Sequence, residues 1–230
     1  MSIIPFSIIQ KIRKRLYPVK WYDLKKTKPV SEIFGLERGT PIDRYYIEKF
    51  LAANSNHIKG NVLEIAESTY TKQFGGDKVT KKEILHYTND NPEATIIGDL
   101  TKIESLPADR IDCFICTQTF NFIYDFKKAI GGAYHLLKKD GFLLATLGGI
   151  SQISRYDMDR WGDYWRFTSL SALQSFEEIF GKGKVKVETY GNVLTAISFL
   201  EGISVEELSQ KELDHKDENY QLLITVVAQK

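Results

Sequence analysis

Short apolar runs without strict alternation recur through the middle of the chain. They are Val62-Leu63-Glu64-Ile65-Ala66, Ile96-Ile97-Gly98-Asp99-Leu100, Ile111-Asp112-Cys113-Phe114-Ile115-Cys116 and Phe142-Leu143-Leu144-Ala145-Thr146. Runs of this kind read as parallel strands covered on both faces, and the helical or turn-like stretches between them give a doubly wound α/β order from Asn61 to Ile150. Further on, Val185 and Val187 alternate with charges between Lys184 and Tyr190, and Gln221 to Ala228 is a second β-rich run. These two predict an antiparallel pair closing the sheet. Ser169 to Phe180 has helical spacing, with Leu170, Leu173, Phe176 and Ile179 on one face. A helix is also expected from Thr40-Pro41-Ile42-Asp43 to about Asn54. Thr40 would cap it, Pro41 suits its first turn, Asp43 complements its dipole, and Tyr45, Tyr46 and Phe50 form an aromatic face.

The first thirty residues have a different pattern. Ile8, Ile12 and Leu16 recur every four positions with Ile9 beside them, while Lys11, Arg13, Lys14 and Arg15 take much of the remaining surface; Pro18 ends this basic amphipathic helix. It could attach to an anionic membrane surface or lie solvated on the domain. We read residues 1–38 as a basic N-terminal helix and extension, and 39–230 as a single domain. The net charge of +1 gives no global reason to expect nucleic acid. Two cysteines argue against a disulfide scaffold. Cys113 and Cys116 have CxxC spacing, but three residues apart on a strand they face opposite ways, which predicts core cysteines instead of a metal or redox pair. No uncharged apolar run approaches the ~20 residues of a membrane span. With no secretory pattern, the expected location is the cytoplasm, with the inner face of the membrane as the surface the basic helix would touch.

In doubly wound sheets, ligands sit outside the carboxyl ends of the strands where strand order reverses. The loops after Ile65, Thr88, Ile97, Cys116 and Thr146 therefore hold the candidate chemistry. They contain Glu64 with Glu67-Ser68-Thr69, Asn89-Asp90, Gly98-Asp99-Leu100, Thr117-Gln118-Thr119, and the polar and aromatic segment Ser151 to Thr168.

With Leu106-Pro107 after the Asp99 motif and Leu136-Leu137-Lys138-Lys139-Asp140-Gly141 before the last parallel strand, Gly60 to Thr168 resembles the class I S-adenosylmethionine-dependent methyltransferases, in particular the small-molecule group called type 11. Arg38 to Tyr46 and Ser154 to Thr168 look like a bacterial subgroup that accompanies glycan-assembly enzymes. The resemblance implies a Rossmann-like, mostly parallel seven-stranded sheet, S-adenosylmethionine as cofactor, and methyl transfer to a small polar acceptor, most naturally a sugar or glycan hydroxyl. It places Glu64 at the acidic position of the first motif, followed by the turn Ala66, Glu67 and Ser68. Asp99, flanked by Gly98 and Leu100, would face the adenine. Thr117, Gln118, Thr119 and Phe122 would line the cofactor cleft, and Asp90 is nearest to the position of the ribose-binding acid. The departure is Ala66-Glu67-Ser68-Thr69, where the family has a run of glycines that accept positive φ.

The sulfonium already activates the methyl group, so a hydroxyl acceptor needs positioning and a base. Asp157 is the candidate base, with Asp159 and Asp163 as alternatives and Tyr156 as an orienting hydroxyl. Arg155, Arg160 and Arg166, interleaved with Trp161, Tyr164 and Trp165, suit a sugar ring or a phosphorylated glycan. The same segment also reads as a folded-over flap with internal Asp to Arg pairs. Two other functions stay open: a catalytically silent methyltransferase-like partner or scaffold, and a nicotinamide-dependent sugar reductase or epimerase. The latter rests on Tyr134 and Lys138 in YxxxK spacing, against the absence of G-x-G-x-x-G after the first strand.

Overall fold

The structure is a computed structural model that describes residues 6–18, 20 and 22–230. Its seven strands are β1 (Gly60–Ile65), β2 (Val79–His86), β3 (Ile96–Ile97), β4 (Ile111–Thr117), β5 (Leu137–Gly148), β6 (Val185–Tyr190) and β7 (Leu223–Gln229). They lie in the order β3-β2-β1-β4-β5-β7-β6. β1 to β5 pair in parallel, and β7 is antiparallel to both β5 and β6, so the chain ends in the expected antiparallel pair. The chain runs outward from β1 to β2 and β3, then returns to the other side of β1 as β4. Strand order therefore reverses between β1 and β4, and their carboxyl ends frame the crevice.

The helices are α1 (Phe6–Leu16), α2 (Ile42–Ala53), α3 (Thr69–Gly75), α4 (Phe126–Leu136), α5 (Arg155–Met158), α6 (Ser169–Phe180), α7 (Val193–Glu201) and α8 (Gln210–Asp214). Alternate strand residues feed two core layers. Leu63, Phe114, Cys116, Leu143 and Ala145 pack with residues of α4 and α6, whereas Val62, Cys113, Ile115 and Leu144 pack with α2 and Phe199 of α7. The two cysteines thus sit on opposite faces, as strand geometry requires. Burial pushes the Cys113 thiol up strongly and the Cys116 thiol to about 12, so neither is a nucleophile at neutral pH.

Five local expectations are corrected. Thr40 does not cap α2: its N–H and hydroxyl both donate to Glu206, at 2.9 and 2.7 Å, and Pro41 takes the cap position. β2 ends at His86, two residues before Thr88, and β3 is only two residues long, paired to Leu85 and His86 at the end of β2. The buried face of α6 is Ala172, Ser175, Phe176 and Phe180, while Leu170 is exposed and Ile179 over a third exposed. Phe176 and Phe180 set this face by their ring contacts with Phe120 and Tyr134, and small residues at 172 and 175 allow close approach to the sheet. β5 begins at Leu137, which pairs with Ile111, well before Phe142.

On α1, the apolar stripe of Ile8, Ile12 and Leu16 stays about half exposed or more, and Lys11, Arg13, Lys14 and Arg15 are exposed around it. The side chain of Ile9 lies outside the described residues. Among the described residues no helix is long and apolar enough to cross a membrane.

Candidate active site

At the end of β1, Glu64 is buried and its carboxylate accepts hydrogen bonds from the Tyr70 N–H (3.1 Å), the Thr71 N–H (2.8 Å) and the Thr71 hydroxyl (2.8 Å). It thereby closes the first turn of α3 and complements the helix dipole. Burial raises its pKa against the lowering effect of those bonds. Ala66 then adopts φ +63°, the conformation for which a glycine would be expected. Its N–H donates to the Leu85 carbonyl at 3.0 Å and its own carbonyl accepts from Asn91 Nδ2 at 2.7 Å, so β2 and the loop after it hold the turn in place. Glu67 is exposed and accepts from the Thr69 hydroxyl, and Ser68 is buried at the start of α3.

Asp99 is half-buried just beyond β3. Its Oδ1 accepts from the Thr101 N–H and hydroxyl, while Oδ2 has Lys102 Nζ at 3.6 Å and no hydrogen bond among the described residues. Gly98 shares this loop, and the Leu100 side chain is in the core. Asp90 follows β2. It is 76% exposed, accepts from the Thr88 hydroxyl, and faces His86 Nδ1 at 3.3 Å. After β4, Thr117, Thr119 and Phe122 are half-buried, and Gln118 is held at φ +47° by N–H bonds to the carbonyl and hydroxyl of Thr146. Ala66 and Gln118 are thus two non-glycine residues with positive φ on the adjacent strand ends where the order reverses. Strain of this kind clusters at functional sites.

Beside Gln118 a cavity of about 180 Å³ opens, the share of about six waters. Its wall combines Gln118, Asn121 and Phe122 with Gly148, Ser151, Gln152, Ser154, Asp157, Asp163 and Arg166 from the segment after β5. Phe34, Asp43, Phe199 and Leu222 complete it. Two buried polar atoms of residues on this wall have no hydrogen-bond partner among the described residues, Asn121 Oδ1 and Arg166 Nε. Such orphans are uncommon in folded proteins and point to a ligand or water partner.

The segment after β5 folds back as a flap. The Asn121 carbonyl accepts from the N–H groups of Tyr164 and Trp165, and Arg166 grips Asp163 through both carboxylate oxygens, at 2.5 and 2.8 Å. Asp163 also accepts from the Ser154 N–H (3.0 Å); burial would raise its pKa, but Arg166 and Ser154 hold it below the ordinary value. Asp157 accepts from the Ser154 hydroxyl at 2.6 Å and from Trp161 Nε1 at 2.9 Å. Outside the cavity wall, Arg155 pairs with exposed Asp159, and Arg160 lies 3.5 Å over the Tyr156 ring. Tyr156, Trp161 and Tyr164 are about half exposed or more, and Trp165 donates to the Tyr124 carbonyl.

Of the residues singled out in the sequence, the fold brings Gln118, Phe122, Asp157, Asp163 and Arg166 to one cavity and leaves Arg155, Tyr156, Arg160, Trp161 and Trp165 off its wall. Sequence reasoning missed Phe34, Asp43, Asn121 and Gln152. Asp43 lies within the Arg38 to Tyr46 motif, which was the available signal. A larger open groove of about 780 Å³ lies beside α7 and α8. There Asn192 Nδ2 donates to the carbonyls of Glu212 and His215, so the groove wall holds itself together away from the crevice. Among the described residues no His, Cys, Asp and Glu cluster could hold a metal ion.

Residues 56–145 match the family model described as a methyltransferase domain. No curated protein matches the chain. Among solved structures, an S-adenosylmethionine-dependent methyltransferase from Archaeoglobus fulgidus aligns with a TM-score of 0.51 at 12% identity, covering 81% of this chain and 94% of that one. The 1,6-didemethyltoxoflavin-N1-methyltransferase of Burkholderia thailandensis, solved with its substrate and S-adenosylhomocysteine, aligns over 100% of this chain and 92% of its own, with 10% identity and a TM-score of 0.52. The [4+2]-cyclase SpnF aligns with a TM-score of 0.54 at 12% identity, over 88% of this chain and 86% of its own. Likeness at this identity establishes the fold and leaves the reaction to the site. Residues 56–145 are thus similar to a methyltransferase domain, and the chain shares its fold with solved S-adenosylmethionine-dependent methyltransferases.

Proposed function

We propose that this protein transfers a methyl group from S-adenosylmethionine to a hydroxyl on a sugar or glycan-related acceptor whose reactive end enters the 180 Å³ cavity. The observation that carries this reading is the cavity beside the β4 end of the crevice, where Gln118, Asn121 and Phe122 meet Ser154, Asp157, Asp163 and Arg166 of the flap. The strand-end residues fit the cofactor. Asp99 offers a carboxylate oxygen without a hydrogen bond, Ser68 and the 66–67 backbone lie at the turn after β1, and Thr117, Gln118 and Thr119 follow β4. When bound, the cofactor supplies a methyl group already activated by the sulfonium. The chain then has to hold the acceptor, exclude water and receive a proton.

The flap supports a hydroxyl over a phosphorylated group. Arg155 is committed to Asp159, Arg166 to Asp163, and Arg160 to the Tyr156 ring and carbonyl. The cavity wall has three carboxylates, Asp43, Asp157 and Asp163, against the one guanidinium of Arg166, a balance unfavourable to an anion. Asp157 and Asp163 frame the acceptor side. A methyl-transfer assay with a monosaccharide panel tests this reading: Asn121→Ala should raise KM for the acceptor and leave cofactor affinity unchanged. Equal KM in both proteins would remove the cavity from the acceptor site.

A second inference rests on α1. Its exposed apolar stripe flanked by Lys11, Arg13, Lys14 and Arg15 suits an anionic bilayer surface, which would hold the enzyme near membrane-borne acceptors. Sedimentation with phosphatidylglycerol vesicles should exceed that with phosphatidylcholine vesicles and decline as salt rises. Equal sedimentation with both would rule this attachment out.

A further inference from the structure

We propose that Asp43, on the first turn of α2, is the group that receives the acceptor's proton during methyl transfer, from the cavity wall contributed by the N-terminal part of the chain. This rests on the cavity being the acceptor site.

Three carboxylates line that cavity, and two are already committed. Asp163 has a side chain 1% exposed, with both oxygens bonded to Arg166 and a further bond from the Ser154 N–H. Asp157 spends one oxygen on Ser154 and the other on Trp161. A proton added to either would break bonds that hold the flap. Asp43 accepts from the Arg44 N–H at 2.8 Å and its own backbone N–H also lowers its pKa, but it has no side-chain donor among the described residues.

The surroundings of Asp43 suit proton transfer. Arg44 on its own helix supplies the nearby positive charge, and burial still pushes the carboxyl up to about 6 against the lowering effects of the Arg44 N–H and charge. On α3 the Tyr70 hydroxyl, which burial pushes up to about 12, feels the charge of Arg44, which lowers it, and those of Glu48, Asp43 and Glu64, which raise it. From the flap it shares the cavity with Asp157, Asp163 and Arg166, while Phe199 of α7 and Leu222 at the start of β7 contribute apolar wall. A carboxylate that titrates near 6 is ionised at neutral pH and is a better base than one held low by an ion pair.

In the step itself, a lone pair of the acceptor hydroxyl oxygen forms the new bond to the methyl carbon. The carbon–sulfur pair stays on sulfur, which leaves as the neutral thioether, and the hydroxyl proton passes to Asp43 and then to water. Charge balances, since the positive charge lost from sulfur appears as the proton.

The test compares the full chain with the isosteric Asp43→Asn variant and with Asp43→Glu. The first readout needs no acceptor. A folded-state pKa above the unfolded one stabilises the fold at low pH, and that contribution is lost as pH rises through about 6. Relative to Asp43→Asn, the parent should therefore lose roughly 10²-fold in folding equilibrium constant between pH 4 and pH 7. Coincident stability profiles would overturn the proposal. The second readout uses radiolabelled S-adenosylmethionine with glucose, mannose and rhamnose as acceptors. Asp43→Asn should lose roughly 10²- to 10⁴-fold in kcat and the acid limb of the pH profile, with partial rescue in Asp43→Glu and cofactor affinity unchanged. Parental turnover in Asp43→Asn would overturn the assignment of Asp43 alone, whereas failure of the parent to bind S-adenosylmethionine would overturn the proposed function with it.

Discussion

Ala66 holds φ +63° in the turn after β1, and an L-residue with a Cβ is disfavoured in the left-handed region by about 1–2 kcal/mol. Two bonds hold it there, from its N–H to the Leu85 carbonyl (3.0 Å) and from Asn91 Nδ2 to its own carbonyl (2.7 Å). Ala66→Gly should relieve that strain while adding about 0.5–1 kcal/mol of chain entropy to the unfolded state, for a net gain between 0 and about 1.5 kcal/mol. Asn91→Ala removes the clamp and the 2.9 Å bond from the Glu93 N–H to Asn91 Oδ1, which together should cost about 1–2 kcal/mol. Glycine needs no clamp to hold positive φ, so Asn91→Ala should cost less in the Ala66→Gly background, with a coupling of about 0.5–1 kcal/mol. Urea unfolding of the four proteins in this cycle would measure it, with heat denaturation as a check at about 2–4 °C per kcal/mol for a chain of this size. Strict additivity, or destabilisation by Ala66→Gly of more than about 1 kcal/mol, would refute the picture of a strained turn held from outside.

Three further outcomes follow from buried contacts. Arg110→Ala would leave Glu83, fully buried in β2, with Lys81 as its remaining cation, and should destabilise by about 2–3 kcal/mol, below the figure for a fully buried pair because Arg110 is over a third exposed. Burial alone would raise the Glu83 pKa, but the bonds from Lys81, Thr95 and Arg110 bring it to about 2. Its contribution is therefore present above about pH 4.5 and lost as pH falls toward 2, so the acid-unfolding midpoint of Arg110→Ala should move up; an unmoved midpoint would count against it. Asp163→Asn would break the fork to Arg166, and limited proteolysis should then cut the 151–168 flap faster; an unchanged digestion pattern would mean that other contacts hold the flap. Gly149→Ala would place a Cβ 2.0 Å from the Gln221 carbonyl oxygen and should cost about 3 kcal/mol or more, measured as a fall in the urea midpoint.

The strands were legible because they are buried on both faces, which imposes continuous apolar runs on the sequence. β3 was over-read: Ile96 to Leu100 looks like a full strand, yet its partner β2 ends at His86 and only Ile96 and Ile97 are paired. Local capping signals failed where a distant partner competed, as when Thr40 is drawn to Glu206 across 166 residues of sequence. On α6 the leucine spacing suggested one face, while aromatic contacts of Phe176 and Phe180 selected another. Ala66 shows the opposite case, in which residue preference argues against a conformation that hydrogen bonds from neighbouring segments impose. The cavity was half legible. Asp157, Asp163 and Arg166 lie close together in sequence, but Asp43 and Asn121 reach the same wall only through the packing of α2 and the turn after β4.

Calorimetric titration of the full chain with S-adenosylmethionine and S-adenosylhomocysteine tests the central claim most directly. Both should bind one competitive site, and Asp99→Ala should weaken both roughly tenfold, within the roughly 1–3 kcal/mol of a buried charge-assisted hydrogen bond. No heat and no thermal shift with either compound at millimolar concentration would contradict the assignment of a cofactor site between β1 and β4.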